Sequence, residues 1–269
     1  MADSLYLPLG RGRYLATELT QGPWDPRHQH GSPPAALLAH AMERLEAAGE
    51  AGPGPEPPAM EFTQFAVDLL RPVPVGEVEV RAQLGRAGRR VRYLTAELFA
   101  DGEPVARARG WRMRRADTSG LAAPEEPPPY ALPARQDGTS PFTDFGYHHA
   151  LEWRFVTGAV TTPGPATMWT RLVVPVVPDE KPTPLQRLVG VADTASGISS
   201  ALPFDTHVFI NVDLTLHLVR ALSGEWVCLD AATTIGPDGA GLCRTRLYDE
   251  RGDLGSAAQS LLVDRRPMR

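Results

Sequence analysis

The stretch THVFINVDLTLHLVR, residues 206–220, alternates apolar and polar side chains over most of its length. Successive side chains of a strand point to opposite faces, so Ile210, Val212, Leu214, Leu216 and Leu218 are predicted on one face and Asn211, Asp213, Thr215 and His217 on the other. The apolar face reads as core. Whether the polar face meets water or a substrate is the functional question.

An earlier stretch, FTQFAVDLLRPV (62–73), carries at Val67, Asp68 and Leu69 the same triplet that the later one carries at Val212, Asp213 and Leu214. Working outward from the two, the same order of elements appears twice. In the first half a short strand, YLATEL (14–19), precedes a helix, SPPAALLAHAMERLEAAG (32–49). Ser32 caps that helix, prolines are tolerated in its first turn, Leu37, Leu38, Ala41, Met42 and Leu45 form its apolar stripe, and Gly49 ends it. Strands are then predicted at 62–73, 76–86, 89–102 and 103–114, separated by turns carrying Gly, Pro or Asp. The second half repeats this as a strand at 167–174, a helix at 183–202 and strands at 206–220, 224–235, 241–252 and 253–264. Arg109 and Gln259 each fall seven positions after the glycine that precedes the last strand. A proline-dense stretch separates the halves, giving domains at 1–114 and 141–269 with a linker at 115–140. The expected fold class is α+β: a double hotdog, each repeat a curved antiparallel sheet wrapped around a long helix.

Composition narrows the function classes. A net charge of -5, with basic residues scattered among acidic ones, argues against nucleic-acid binding. No apolar run approaches membrane-spanning length, and the N-terminal region lacks the basic-then-apolar pattern of a secretory leader, so a cytoplasmic protein is expected. Cys228 and Cys243 read as reduced structural thiols. There is no G-x-S-x-G elbow, phosphate-binding glycine loop, dinucleotide fingerprint or H-E-x-x-H pair, which removes serine hydrolase, nucleotide and zinc-protease readings. His28 and His30 in RHQHG lack a nearby carboxylate or cysteine cluster, so neither a metal nor another cofactor is expected.

The candidate chemistry lies in the second half. Asp193 interrupts the apolar helix sequence RLVGVADTASGIS, and Gln259 sits in the last strand among Ala257, Ala258, Leu261 and Leu262. Read singly, Asp193 is a cap where the helix breaks and restarts at Thr194–Gly197, and Gln259 is a satisfied edge residue. Thr215 and Asn211 are polar where the first repeat has Leu70 and Ala66. Taken together, Asp193, Thr215 and Gln259 supply a carboxylate, a hydroxyl and an amide, an inventory for hydrolysis by a held water without a protein nucleophile.

These residues carry a resemblance. VADTASG around Asp193, VDLTL around Thr215, GSAAQS around Gln259, LLRPV (69–73) and HGSPPAALLAHAM are together similar to the acyl-CoA thioesterase II family and the wider thioesterase-like superfamily of double hotdog proteins. The resemblance implies hydrolysis of a fatty acyl-CoA to free acid and CoA, with Asp193 positioning the water and Thr215 and Gln259 holding it. HGSPP replaces the family's paired glycine, which puts Gly31 and Ser32 where the thioester carbonyl would approach the first helix. His217 is expected to assist from the face of Thr215. Arg90, with Arg86, Arg89 and Arg92 in RAGRRVR, offers charge for CoA phosphates, although a solvated turn explains the same residues. Two other readings are a non-catalytic acyl-CoA or lipid-binding double hotdog and an enoyl-CoA hydratase; the G-D-x-N-P-x-H segment of the latter is missing. Exposed sheet edges leave room for pairing into homo-oligomers.

Overall fold

The computed structural model describes residues 3–49, 59–124, 126–134 and 145–266. The first repeat runs β1 (Tyr6–Gly10), β2 (Arg13–Ala16), α1 (Ser32–Gly49), β3 (Met60–Leu69), β4 (Glu77–Ala87), β5 (Val91–Ala100) and β6 (Glu103–Arg114). The second runs β7 (Leu151–Ala159), β8 (Thr162–Leu172), α2 (Pro184–Ala192), α3 (Ala195–Ile198), β9 (His207–Asn211), β10 (Asp213–Leu218), β11 (Val227–Ile235), β12 (Ala240–Asp249) and β13 (Gly252–Arg265). All thirteen strands form one antiparallel sheet in the order β1-β2-β4-β5-β6-β3-β10-β13-β12-β11-β8-β7, with β9 pairing β13. The second half of this order mirrors the first, and the double hotdog expected from sequence is the fold. The halves join where β3 pairs β10, Asp68 facing Asp213 and Ala66 facing Thr215. The two Val-Asp-Leu stretches therefore lie side by side, and a pseudo-two-fold axis passes between their aspartates.

Each helix starts for a local reason. The prolines of α1 fall in its first turn, where no backbone N–H is required of them. Thr183 caps α2 by accepting from the Gln186 N–H, while the Gln186 side chain reaches back to the Thr183 N–H and Pro184 occupies the first turn. The helices pack against one another and against the concave face of the sheet, where Leu37, Leu38, Met42, Leu188, Val189, Val191, Leu214 and Leu216 belong to one core running through both repeats. Burying side chains of this size is worth about 1.5–3 kcal/mol each. The packing also creates two mirrored corners. In one, Glu43 of α1 accepts from the Thr183 hydroxyl at 2.9 Å and the Gln186 amide at 2.8 Å, at the start of α2. In the other, Asp193 at the end of α2 lies against the start of α1.

The structure departs from the sequence expectation in four places. Strands β1 and β7 were not anticipated. The helix expected at 183–202 is two pieces, broken at Asp193 and Thr194. The strand expected at 206–220 is also two: Asn211 faces Leu261 and Thr215 faces Ala258, four steps along one strand against three along the other, which marks a bulge at Val212. The extra residue reverses the faces, so Ile210 and Val212 are exposed while Leu214 and Leu216 are fully buried. Finally, the turn into the last strand is two residues long in both repeats, but Gly102 closes the first turn whereas Gly252 is already the first residue of β13, so the positions seven residues after each glycine fall on opposite faces. Arg109 thus points outward, 3.9 Å from Asp68 and exposed, whereas Gln259 is buried.

Within the expected linker, Tyr130 and Leu132 pack on Trp169, Trp226, Cys228 and Tyr248 on the outer sheet surface of the second repeat. Residue 125 and residues 135–140 of that linker lie outside the described residues. Cys228 and Cys243 are free and buried, and burial pushes the Cys228 thiol up to about 12. Among the described residues no helix is long and apolar enough to cross a membrane, and no group of three or more His, Cys, Asp or Glu side chains could hold a metal ion.

Candidate active site

Asp193 is the C-cap of α2 and only 5% exposed. Its placement follows from the break between α2 and α3, which turns a side chain that would otherwise lie in the helix packing toward the other repeat. A buried carboxylate needs partners, and both repeats supply them. Asn211 donates through Nδ2 to Oδ1 at 2.5 Å, and Gln259 donates through Nε2 to the same oxygen at 3.0 Å. Gln259 also bonds the Asp193 carbonyl and accepts from the Ser196 N–H, so its amide joins the end of α2 to the start of α3.

The other carboxylate oxygen faces the first repeat. His30 Nδ1 lies 3.2 Å from Oδ2, and Gly31 is so close that a Cβ there would sit 2.6 Å from it. His30 is fixed by its own N–H to the Thr20 carbonyl at 2.8 Å and by stacking on Tyr147, with ring centroids 4.8 Å apart. The Tyr147 phenol donates in turn to the Gly190 carbonyl of α2, and burial raises its pKa. Burial lowers the pKa of the His30 imidazole from its ordinary value, against the opposing pull of Asp193. The Gly31 N–H, at the start of α1, donates to no group among the described residues.

This corner adjoins a cavity of about 980 Å³, lined by His30, Gly31, Asp193 and Asn211. One part of it is apolar, with Leu151, Trp153 and Met168 on β7 and β8. Another is bounded by a cluster of Trp24, Phe204 and Phe209, with the Arg266 guanidinium 5.1 Å from the Trp24 ring. Arg71, exposed, also borders it.

The structure brings together Asp193, Gln259 and Gly31. It does not bring Thr215, which the bulge turns to the face opposite Leu214 and Leu216 and which makes no hydrogen bond to Asp193 or Gln259; Asn211 occupies the place expected of it. His217 shares the outward face of Thr215 and is exposed. Ser32 is fully buried behind the start of α1, and Arg90 sits in the β4–β5 turn; neither lines the cavity. Two residues escaped the sequence reading. Asn211 was assigned to the correct strand but paired with the wrong neighbours, and His30 was weighed only as a metal ligand. The signal for His30 was its position directly before the glycine that opens the helix.

A two-repeat fold in which one of two polar corners joins a helix end to a large, partly apolar cavity defines a double hotdog protein with a cavity lined from both repeats. Family comparison agrees: the model for the acyl-CoA thioesterase N-terminal domain matches residues 20–113, and that for the acyl-CoA thioesterase C-terminal domain matches 124–263. The chain belongs to the acyl-CoA thioesterase family. Among solved structures it is similar to a conserved hot dog fold protein of unknown function from Alicyclobacillus acidocaldarius, with 16% identity, a TM-score of 0.72, and 99% of this chain and 98% of that one covered. It is also similar to the acyl-CoA thioesterase II TesB2 from Mycobacterium marinum, with 14% identity, a TM-score of 0.65 and coverage of 98% and 96%. The tesB protein of Mycobacterium avium subsp. paratuberculosis gives 14%, 0.66, and 97% and 96%. No curated protein matches the sequence.

Proposed function

We propose that this protein hydrolyses acyl-CoA thioesters, with Asp193 supplying the negative charge that makes a cavity water nucleophilic. The observation that carries the reading is the division of labour between the two carboxylate oxygens. Asn211 and Gln259 both donate to Oδ1, fixing the group in one orientation, while Oδ2 is turned to the start of α1. Gln259 has both amide protons committed to Asp193, so it positions the carboxylate and does not hold the water. The free Gly31 N–H, at the positive end of the α1 dipole, suits the oxyanion that forms when water adds to a thioester carbonyl. The acyl group would lie against Leu151, Trp153 and Met168, and CoA phosphates would meet Arg71 and Arg266 in place of Arg90.

The test is CoA release from acyl-CoAs of graded chain length, with Asp193→Asn beside the wild type. Steady release by the wild type and its loss in the variant support hydrolysis. Saturable binding with no release at any length would support the non-catalytic reading.

A further inference from the structure

We propose that His30 is a catalytic residue, taking the proton of the attacking water on Nε2 while Asp193 holds its Nδ1–H; this rests on the hydrolytic reading above. Asp193 is poorly placed to touch a water directly. Oδ1 already accepts two amide donors, and Oδ2 is covered by His30 and by the Gly31 Cα, against which even a methyl would not fit. The carboxylate can act on the cavity through the imidazole beside it.

The tautomer decides which ring nitrogen is basic. Nδ1 lies 3.2 Å from Asp193 Oδ2 and also 3.1 Å from the Ser32 backbone N. It cannot donate to the first and accept from the second at once. A hydrogen bond donated to a carboxylate is stronger than one accepted from a neutral amide, and a bare Nδ1 would aim its lone pair at that carboxylate. The proton therefore belongs on Nδ1, which leaves the lone pair on Nε2. Nε2 has no hydrogen-bond partner among the described residues and is not sealed from solvent, and the ring is 14% exposed and lines the cavity. Stacking on Tyr147 and the bond from the His30 N–H to Thr20 hold that nitrogen in place. The pair spans the repeats, His30 from the first and Asp193 from the second.

The step balances without any further reactant. As the water oxygen bonds to the thioester carbon, its proton passes to Nε2 and the carbonyl pair moves to an oxyanion facing the Gly31 N–H. When that pair returns, the C–S bond breaks, and the imidazolium gives its proton to the departing CoA sulfur. Imidazole is regenerated, nothing is oxidised, and the products are the carboxylic acid and CoA. Asp193 keeps its bond to Nδ1–H and steadies the imidazolium.

His30→Asn separates this role from a structural one, because its amide still donates to Asp193 but cannot carry a proton. The expected result is a kcat lower by about 100-fold or more, with KM within about three-fold. The wild type should lose kcat/KM below a pKa depressed from the ordinary histidine value, the groups facing the ring being Asp193 and Tyr147, and His30→Asn should lose that acidic limb. Imidazole added to His30→Ala should restore part of the rate. Nitrogen NMR of the labelled wild-type imidazole, which needs no variant to fold, should show the Nδ1–H tautomer. An Nε2–H tautomer, or His30→Asn turning over within about three-fold of wild type with the acidic limb intact, would overturn the assignment. A wild type that releases no CoA from any acyl-CoA overturns the hydrolytic reading itself, a result distinct from both.

Discussion

Replacing Gly31 by alanine tests the corner with the smallest perturbation the chain allows. Gly31 is not among the residues with positive φ, so alanine adopts its backbone without strain, and the whole effect comes from one methyl. That methyl would meet Asp193 Oδ2 at 2.6 Å, Cγ at 3.0 Å and Oδ1 at 3.1 Å. Restoring an ordinary 3.4 Å contact requires the carboxylate to retreat by about 0.8 Å. The retreat pushes Oδ1 into the amides of Asn211 and Gln259, already at 2.5 and 3.0 Å, and pulls Oδ2 out of register with His30. Misplacement on the order of 1 Å costs about 100-fold in rate, equivalent to about 2.7 kcal/mol in the barrier. The assay is continuous thiol detection during acyl-CoA turnover, with kcat and KM separated. Gly76→Ala is the blank, since a Cβ there meets nothing within 4 Å. Gly31→Ala with kcat within about three-fold of wild type and normal urea unfolding would refute the argument that this contact sets the geometry.

Gln259→Leu removes the acceptor for the Ser196 N–H and both hydrogen bonds donated to Asp193, so urea unfolding should show a loss of about 1–3 kcal/mol per unpaired buried group, together with reduced turnover. Thr215→Val and His217→Ala should leave kcat within about three-fold, because both side chains lie on the sheet face away from the cavity; a tenfold loss in either would put them back in the site. Arg220→Ala breaks a two-point pair with the fully buried Asp249, at 2.6 and 2.7 Å, and should destabilise by about 3–5 kcal/mol in thermal or denaturant unfolding. Burial alone would raise the Asp249 pKa, but Arg220 and the N–H groups of Ser223 and Arg251 outweigh it and hold it below the usual carboxylate range. Its stabilisation is therefore complete above the unfolded-state value and fades as pH falls through the lower folded one. Wild-type stability should drop in strongly acid solution, and Arg220→Ala should flatten that dependence.

Much of the fold was legible because the repeat constrains it twice. The Val-Asp-Leu triplet, the paired helices and the strand order in each half are local patterns, and the mirrored sheet follows once they are set side by side. Asp193 was legible as a costly charge in apolar sequence, and Gln259 as an amide among alanines and leucines. The third partner was not. Strict alternation puts Asn211 and Thr215 on one face, and a single extra residue at Val212 separates them. No side-chain pattern announces such a bulge, because it depends on how β13 pairs with β9 and β10. Strand β7, whose side chains are mostly half-buried, offers no clean alternation to read. His30 could not be assigned from its own half at all, since the carboxylate that gives it meaning arrives from the other one.

The mirrored corners have a consequence for counting. An assembly of two identical hotdog chains would own two equivalent pockets, but here the two corners carry different residues. At one corner Glu43 is occupied by the hydroxyl and amide that begin α2, and it does not border the large cavity. At the other, the carboxylate is backed by Asn211 and Gln259 and meets His30, whose ring borders the large cavity. Each polypeptide should consequently bind one equivalent of a slowly hydrolysed thioether mimic at saturation, half the number its internal symmetry would suggest.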